Sequence, residues 1–215
     1  NFGALSTPGK VGFSLYDATK FNDAYDASSS LKAAYGMMDN IIYKSRLIWG
    51  IRVESYNQKL NALKDAYTPL NLDNEQTDIL PSINYIYSIN KKQNLRVSYS
   101  KTLNRPEFRE LAPFAFYDFT TRFVTTGNED LKVAKINNLD IRYEIYPSNG
   151  QLFTFSVFYK KFTNPIESKA NGNPNEISFQ NAASGVNSGL ELEFRMLLSS
   201  IFNKESETNF LNNIT

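Results

Sequence analysis

The stretch Asn138-Leu139-Asp140-Ile141-Arg142-Tyr143-Glu144-Ile145 decides the fold. Its odd positions are Leu139, Ile141, Tyr143 and Ile145; its even positions are Asn138, Asp140, Arg142 and Glu144. Successive side chains of a strand point to opposite faces, so a period of two gives one apolar and one charged face. The β-branched and aromatic residues on the apolar side agree with a strand.

The same alternation recurs on either side. Leu47, Trp49, Ile51 and Val53 alternate with Gly50, Arg52 and Glu54. Phe153, Phe155, Val157 and Tyr159 alternate with Thr154, Ser156, Phe158 and Lys160. Leu190, Leu192 and Phe194 alternate with Glu191, Glu193 and Arg195. Shorter versions are Leu31/Ala33/Tyr35/Met37, Ile83/Tyr85/Tyr87/Ile89 and Leu95/Val97/Tyr99, the last enclosing Arg96. Seven strands are thus predicted, with an eighth beginning near Asn209. Their connections alternate in length. Short turns are expected around Asp39-Asn40, Asn90 to Asn94 and Pro147 to Gly150. Long loops are expected over Asn57 to Asp78, Leu103 to Val133 and Thr163 to Ser178. Antiparallel strands joined this way gather the short turns at one end and the long loops at the other, the layout of outer-membrane barrels. A strand of about 10 residues tilted ~45° crosses roughly 23 Å, close to the apolar band of such a barrel.

Composition narrows the function classes. The 215 residues are 41% hydrophobic and 14% aromatic, with 16 Phe and 13 Tyr against a single Trp. Mean hydropathy is −0.41. With 23 basic and 22 acidic side chains, no charge excess points to nucleic acid. Cys and His are both zero, which removes thiolate catalysis, disulfides, Cys/His zinc sites and a Ser-His-Asp relay within the chain. No enzymatic role and no cofactor or metal is expected. No apolar run approaches the ~20 residues of a membrane helix. The start Asn1-Phe2-Gly3 carries no signal segment, so a processed chain or an internal piece is expected. A soluble or surface-attached sugar-binding β-sandwich would alternate too. The mixed charges with Gly, Ser and Asn on the polar face, and the segregated loops, favour the barrel.

One segment adds a resemblance. Ser98-Tyr99-Ser100-Lys101-Thr102-Leu103-Asn104-Arg105-Pro106-Glu107-Phe108-Arg109-Glu110-Leu111-Ala112-Pro113-Phe114 resembles the barrel of TonB-dependent receptors, where a strand ending in Tyr-Ser leads into Arg-Pro, Phe, Glu-Leu and Pro-Phe. Thr126-Gly127-Asn128-Glu129-Asp130-Leu131 is similar to the family's Gly-Asn-Pro-x-Leu turn, with Glu129 where Pro is usual. Phe158 to Glu167 resembles its strand into Asn-Pro-Ile, and Ser184 to Phe194 its Gly-x-Glu-x-Glu strand. The likeness runs from about Tyr25 to the C-terminus.

The resemblance implies an all-β, antiparallel up-and-down transmembrane barrel in the outer membrane of a Gram-negative bacterium. Such a receptor is 22-stranded and plugged by an N-terminal domain, and it imports a scarce ligand (siderophore, vitamin or glycan) with energy passed on by TonB. At roughly 28 residues per strand a barrel of that size needs about 600 residues. Residues 1–215 are therefore expected to form a single partial barrel of seven to eight strands, with 1–23 as an extracellular loop. The plug and the TonB-contact segment are expected in a missing N-terminal part. The expected partners are outer-membrane lipid, that plug, TonB, the imported ligand and a surface lipoprotein.

Two groups of residues are candidates for the site. Arg52, Glu54, Arg96, Asp140, Arg142, Glu144, Lys160, Glu191, Glu193 and Arg195 fall on polar faces. Carboxylates two apart on a strand lie ~6.5–7 Å from each other and need a special pocket for acid–base work, so a ladder of charge pairs lining the lumen is the expected reading. Phe114, Phe116, Tyr117, Phe119 and Phe123 crowd the long loop, able to stack on a sugar or an aromatic ligand or to pack the loop on the rim. Asn71, Asp73, Asn74, Glu75 and Asp78 lack the spacing of a calcium loop.

Overall fold

The computed structural model describes residues 2–4, 13–15, 24–65, 67–148, 150–197 and 209–214. In chain order these form β1 (Phe2–Ala4), β2 (Phe13–Leu15), β3 (Tyr25–Ile42), β4 (Ser45–Leu63), β5 (Pro69–Asn90) and β6 (Gln93–Asn104). A single turn of helix, α1 (Phe108–Leu111), precedes β7 (Ala115–Tyr117) and β8 (Val124–Thr126). β9 (Ala134–Ile145), β10 (Leu152–Thr163), β11 (Ile166–Ala170), β12 (Glu176–Asn181), β13 (Ser184–Leu197) and β14 (Asn209–Ile214) complete the order. Of the expected N-terminal loop, β1 and β2 pair with each other, and the rest lies outside the described residues.

Eight strands form one sheet in the order β3-β4-β5-β6-β9-β10-β13-β14, each antiparallel to its neighbour. All seven expected strands are present, and β14 is the eighth. Among the described residues β3 and β14 are the outer strands and do not pair, so the sheet is open.

The register makes the two faces continuous. Leu47, Tyr85, Val97, Ile141, Val157 and Leu190 lie in one row across six strands. Trp49, Ile83, Tyr99, Leu139 and Tyr159 form the next. These side chains remain 36–60% exposed where their exposure is greatest, for no described element covers them. A sandwich would bury such a face against a second sheet ~10 Å away. This face is built to meet lipid. The opposite, inner face carries Glu54, Gln58, Asp78, Glu144, Thr154 and Ser156, all buried.

Strand β3 departs from expectation. Its odd positions were assigned to the apolar outer face, yet Tyr35 pairs with Arg52 and Ala33 with Glu54, on the inner face. Met38, Gly36 and Ala34 oppose Trp49, Ile51 and Val53 instead. Both faces of β3 hold apolar residues, so its own pattern is ambiguous. Pairing with β4 decides it, because a one-residue slip would turn every side chain over.

The connections also differ in detail. The first turn is Tyr43-Lys44, and Asp39-Asn40 lies within β3. The expected loop Asn57–Asp78 is mostly strand, since β4 and β5 pair as far as Leu63 and Pro69. These strands have 19 and 22 residues, about twice the ~9–11 that a tilted strand needs to cross the hydrocarbon. Their tip is held by Asp65, whose Oδ1 accepts the N–H groups of Tyr67 and Thr68, both at 2.9 Å.

The other two long connections join in a second sheet, ordered β11-β12-β8-β7. β12 runs parallel to β8, and Asn128 Nδ2 donates to Phe179 O at 2.9 Å. Asn181 binds both the N–H and the carbonyl of Lys132, at 2.7 and 2.9 Å. Beneath this cap the inner face of the β4–β5 hairpin turns apolar. Leu60 and Leu70 bury against Leu111, Ala112 and Leu131, with Phe108, Phe114 and Phe179 packed around them. The chain after β6 therefore folds inward over the sheet. Gly127 is needed there, because a Cβ would collide with Ala112 O and lie 2.8 Å from Glu110 O. Asn128 N donates to the same Glu110 carbonyl at 2.6 Å, which seats the Gly-Asn turn on the end of α1.

Candidate functional site

All ten polar-face candidates fall on the inner face. Arg96, Arg142 and Glu191 lie on one row through Ser156, and Asn94, Glu144, Thr154 and Glu193 on the next. Between these rows Arg96 Nη2 donates to Glu144 Oε2 at 3.3 Å, and Arg142 Nη2 to Glu193 Oε2 at 2.8 Å. Arg142 Nε lies 3.2 Å from Glu144 Oε1, and Arg195 Nη2 donates to Glu193 Oε1 at 3.3 Å. Charges of alternating sign thus run from β6 through β9 to β13, passing over the neutral Thr154 and Ser156 of β10. No described ion pair includes Asp140, Glu191 or Lys160; Lys160 Nζ lies 5.6 Å from the Phe158 ring centroid. Phe158 in turn covers Gly189 directly across the strand pair, filling the space a side chain there would take.

A second charged cluster sits where the inner face meets the folded-in loop. Arg52 Nε donates to Glu54 Oε1 at 2.7 Å. Arg105 Nη2 reaches Glu54 Oε2 at 2.9 Å and Asp78 Oδ2 at 3.3 Å. The Arg105 guanidinium also stands over the Tyr56 ring, 4.5 Å from its centroid. Gln58 Nε2 donates to Pro106 O at 2.9 Å. Sequence reasoning missed Arg105, Asp78 and Gln58 as a unit. The signal lay in Asn104-Arg105-Pro106, where a charged residue precedes a proline at the exit of a strand. Asp78, expected above at the end of a long loop, is a strand residue on the inner face. Asp73 faces the other way and pairs with Lys59 at 3.0 Å, so the acidic residues of this region are divided between faces.

The aromatic candidates do not act as one cluster. Phe114 packs on the apolar core and stacks on Tyr25 at 5.4 Å. Phe116 lies under the Arg109 guanidinium at 4.6 Å, and Phe123 is half-buried. Only Tyr117 and Phe119 project, 47% and 87% exposed, edge to face at 5.0 Å. Asp118 between them fixes the turn by accepting the Thr120 N–H at 2.8 Å. That hydrogen bond, followed by those from Thr121, holds the Asp118 carboxyl below the usual carboxylate range.

An open antiparallel meander, apolar outside and charged inside, with short turns at one end and an ordered cap at the other, defines a segment of an outer-membrane β-barrel. Residues 13–215 match the outer membrane protein beta-barrel family, and the chain belongs to it. This places the protein in the outer membrane of a Gram-negative bacterium. Among solved structures the hemophore receptor HasR of Serratia marcescens, in complex with its hemophore HasA and heme, aligns with a TM-score of 0.63 at 11% identity. The alignment covers 86% of this chain and 34% of HasR. The ferric-catecholate import receptor Fiu of E. coli K12 gives a TM-score of 0.56 at 15% identity, over 87% of this chain and 27% of that one. The siderophore receptor PirA of Pseudomonas aeruginosa gives 0.52 at 13%, over 79% and 40%. The chain therefore has the barrel fold of TonB-dependent receptors and spans less than half the length of these relatives. No curated protein matches it.

Proposed function

We propose that this chain is part of the wall of a TonB-dependent outer-membrane receptor that imports a siderophore, a vitamin or a glycan. The observation that carries the reading is the division of the sheet into an uncovered apolar outer face and a charge-laddered inner face. An inner face of this kind suits a wet lumen filled by a plug, and Arg52, Glu54, Arg96, Asp140, Arg142, Glu144, Lys160, Glu191, Glu193 and Arg195 line it. Plug and TonB are the partners of the whole receptor. The cap belongs outside the cell, where it meets the ligand or a surface lipoprotein. Of the five loop aromatics, Tyr117 and Phe119 make that contact, while Phe114, Phe116 and Phe123 hold the loop in place.

Deletion of the gene, followed by growth on defined iron chelates, vitamins or glycans as limiting nutrients, tests the reading. Growth should fail on one class and return with the intact gene. Restoration should be weaker with a Tyr117→Ala/Phe119→Ala gene. Unchanged growth on all three classes would contradict the proposal.

A further inference from the structure

Near the loop end the outer face carries a lysine on each of three adjacent strands. Immediately beyond the row of Tyr99, Leu139 and Tyr159, the register places Lys101, Asn137 and Lys161 side by side on β6, β9 and β10. One step further, Lys135 stands between Leu103 and Thr163 on the same face. Strands are ~4.8 Å apart, so Lys101 and Lys161 flank Asn137 at roughly 10 Å, with Lys135 about 7 Å along its strand. Their partners in the register, Asn137, Leu103, Thr163 and Val186, carry no negative charge. Among the described residues no ion pair or hydrogen bond engages the three ammonium groups. Tyr99 is held at the border of the band, its hydroxyl donating to Asn137 Oδ1 at 2.9 Å.

We infer that Lys101, Lys135 and Lys161 bind the phosphate headgroup of a lipid in the leaflet at the loop end. Three cations at the rim of an apolar band match an amphiphile with its phosphate at the lysines and its acyl chain on Tyr99, Leu139 and Tyr159. A free phosphate ion would gain nothing from that apolar floor. Lysine suits the task, since its flexible stem lies along the wall while the ammonium reaches the headgroup layer. The inference rests on the membrane placement of the sheet and is independent of the imported ligand.

The test uses the full-length protein purified in detergent and incubated with diphosphoryl lipid A or with phosphatidylcholine, retained lipid being counted by native mass spectrometry. Lipid A should be retained in preference to phosphatidylcholine. The triple variant Lys101→Gln/Lys135→Gln/Lys161→Gln should retain about tenfold less lipid A. The corresponding triple arginine variant should keep it, as should Lys169→Gln, which changes a lysine on the cap. Heat-modifiable electrophoretic mobility reports that each barrel is folded; should the triple glutamine variant not fold, Lys161→Gln alone should show a partial loss. Equal retention by the glutamine variant, absence of preference over phosphatidylcholine, or displacement of lipid A by millimolar inorganic phosphate would each overturn the assignment.

Discussion

Ile141 lies in the middle of the outer face, flanked across the strands by Val97 and Val157 and 44% exposed. A cation placed there must leave water for hydrocarbon, so Ile141→Arg should destabilise the intact barrel by roughly 2–4 kcal/mol. Asn138 faces inward, where Nδ2 donates to Thr102 Oγ1 at 3.1 Å, and Asn138→Lys should cost far less. Equilibrium unfolding in liposomes measures both, and equal penalties would contradict the facing. Gly189 offers a test on the inner face. A Cβ there would lie 2.7 Å from Phe158 Cζ, so Gly189→Ala should cost about 1–3 kcal/mol by overpacking. Adding Phe158→Leu should recover much of that loss, a coupling that a double-mutant cycle reads directly. The Phe158–Gly189 pairing was not legible in the sequence, because it depends on the register between two strands that bring together residues 31 apart in the chain.

At the scale of elements, the strands that cross the membrane were legible because their two faces meet different media. Beyond the band both faces meet water or protein, and the period of two disappears. That is why Asn57–Asp78 reads as a loop when β4 and β5 in fact continue through it. The cap was illegible for a related reason: β7, β8 and α1 are three or four residues long, too short for any period, and β12 joins β8 only after the two loops meet. The cap turn at Asp118 carries a pH prediction. Its carboxyl is held below the ordinary value of about 3.9 by hydrogen bonds from the Thr120 N–H and then from the side chain and N–H of Thr121, so the charged form is favoured in the folded turn. The stabilisation is fully present above that ordinary value and fades as pH falls below it, through the lower folded pKa. Hydrogen exchange at Thr120 and Thr121 should therefore rise, relative to the strand amides, only in that acid window. In Asp118→Asn the extra rise should vanish. Topology gives a second element-scale test: epitope tags at the β4–β5 tip and beside Phe119 should be reached by antibody on intact cells, and a tag at Ser148 should not.

For the whole molecule the central claim is that this sheet is a membrane-spanning wall with lipid on one face and a polar lumen on the other. The β9 segment that first revealed the fold is also the place to test it, since it lies in the middle of the sheet with β6 and β10 on either side. These 215 residues contain no cysteine, so an introduced one is unique among them, and any cysteine elsewhere in the full-length protein is replaced by serine for the measurement. Single cysteines at positions 138 to 145 of the full-length protein, spin-labelled and reconstituted in bilayers, would be measured for collision with dissolved oxygen and with a water-soluble nickel chelate. Oxygen accessibility should peak at 139, 141, 143 and 145 and fall at the even positions. A profile without a period of two, or one with its maxima at 140, 142 and 144, would contradict the account.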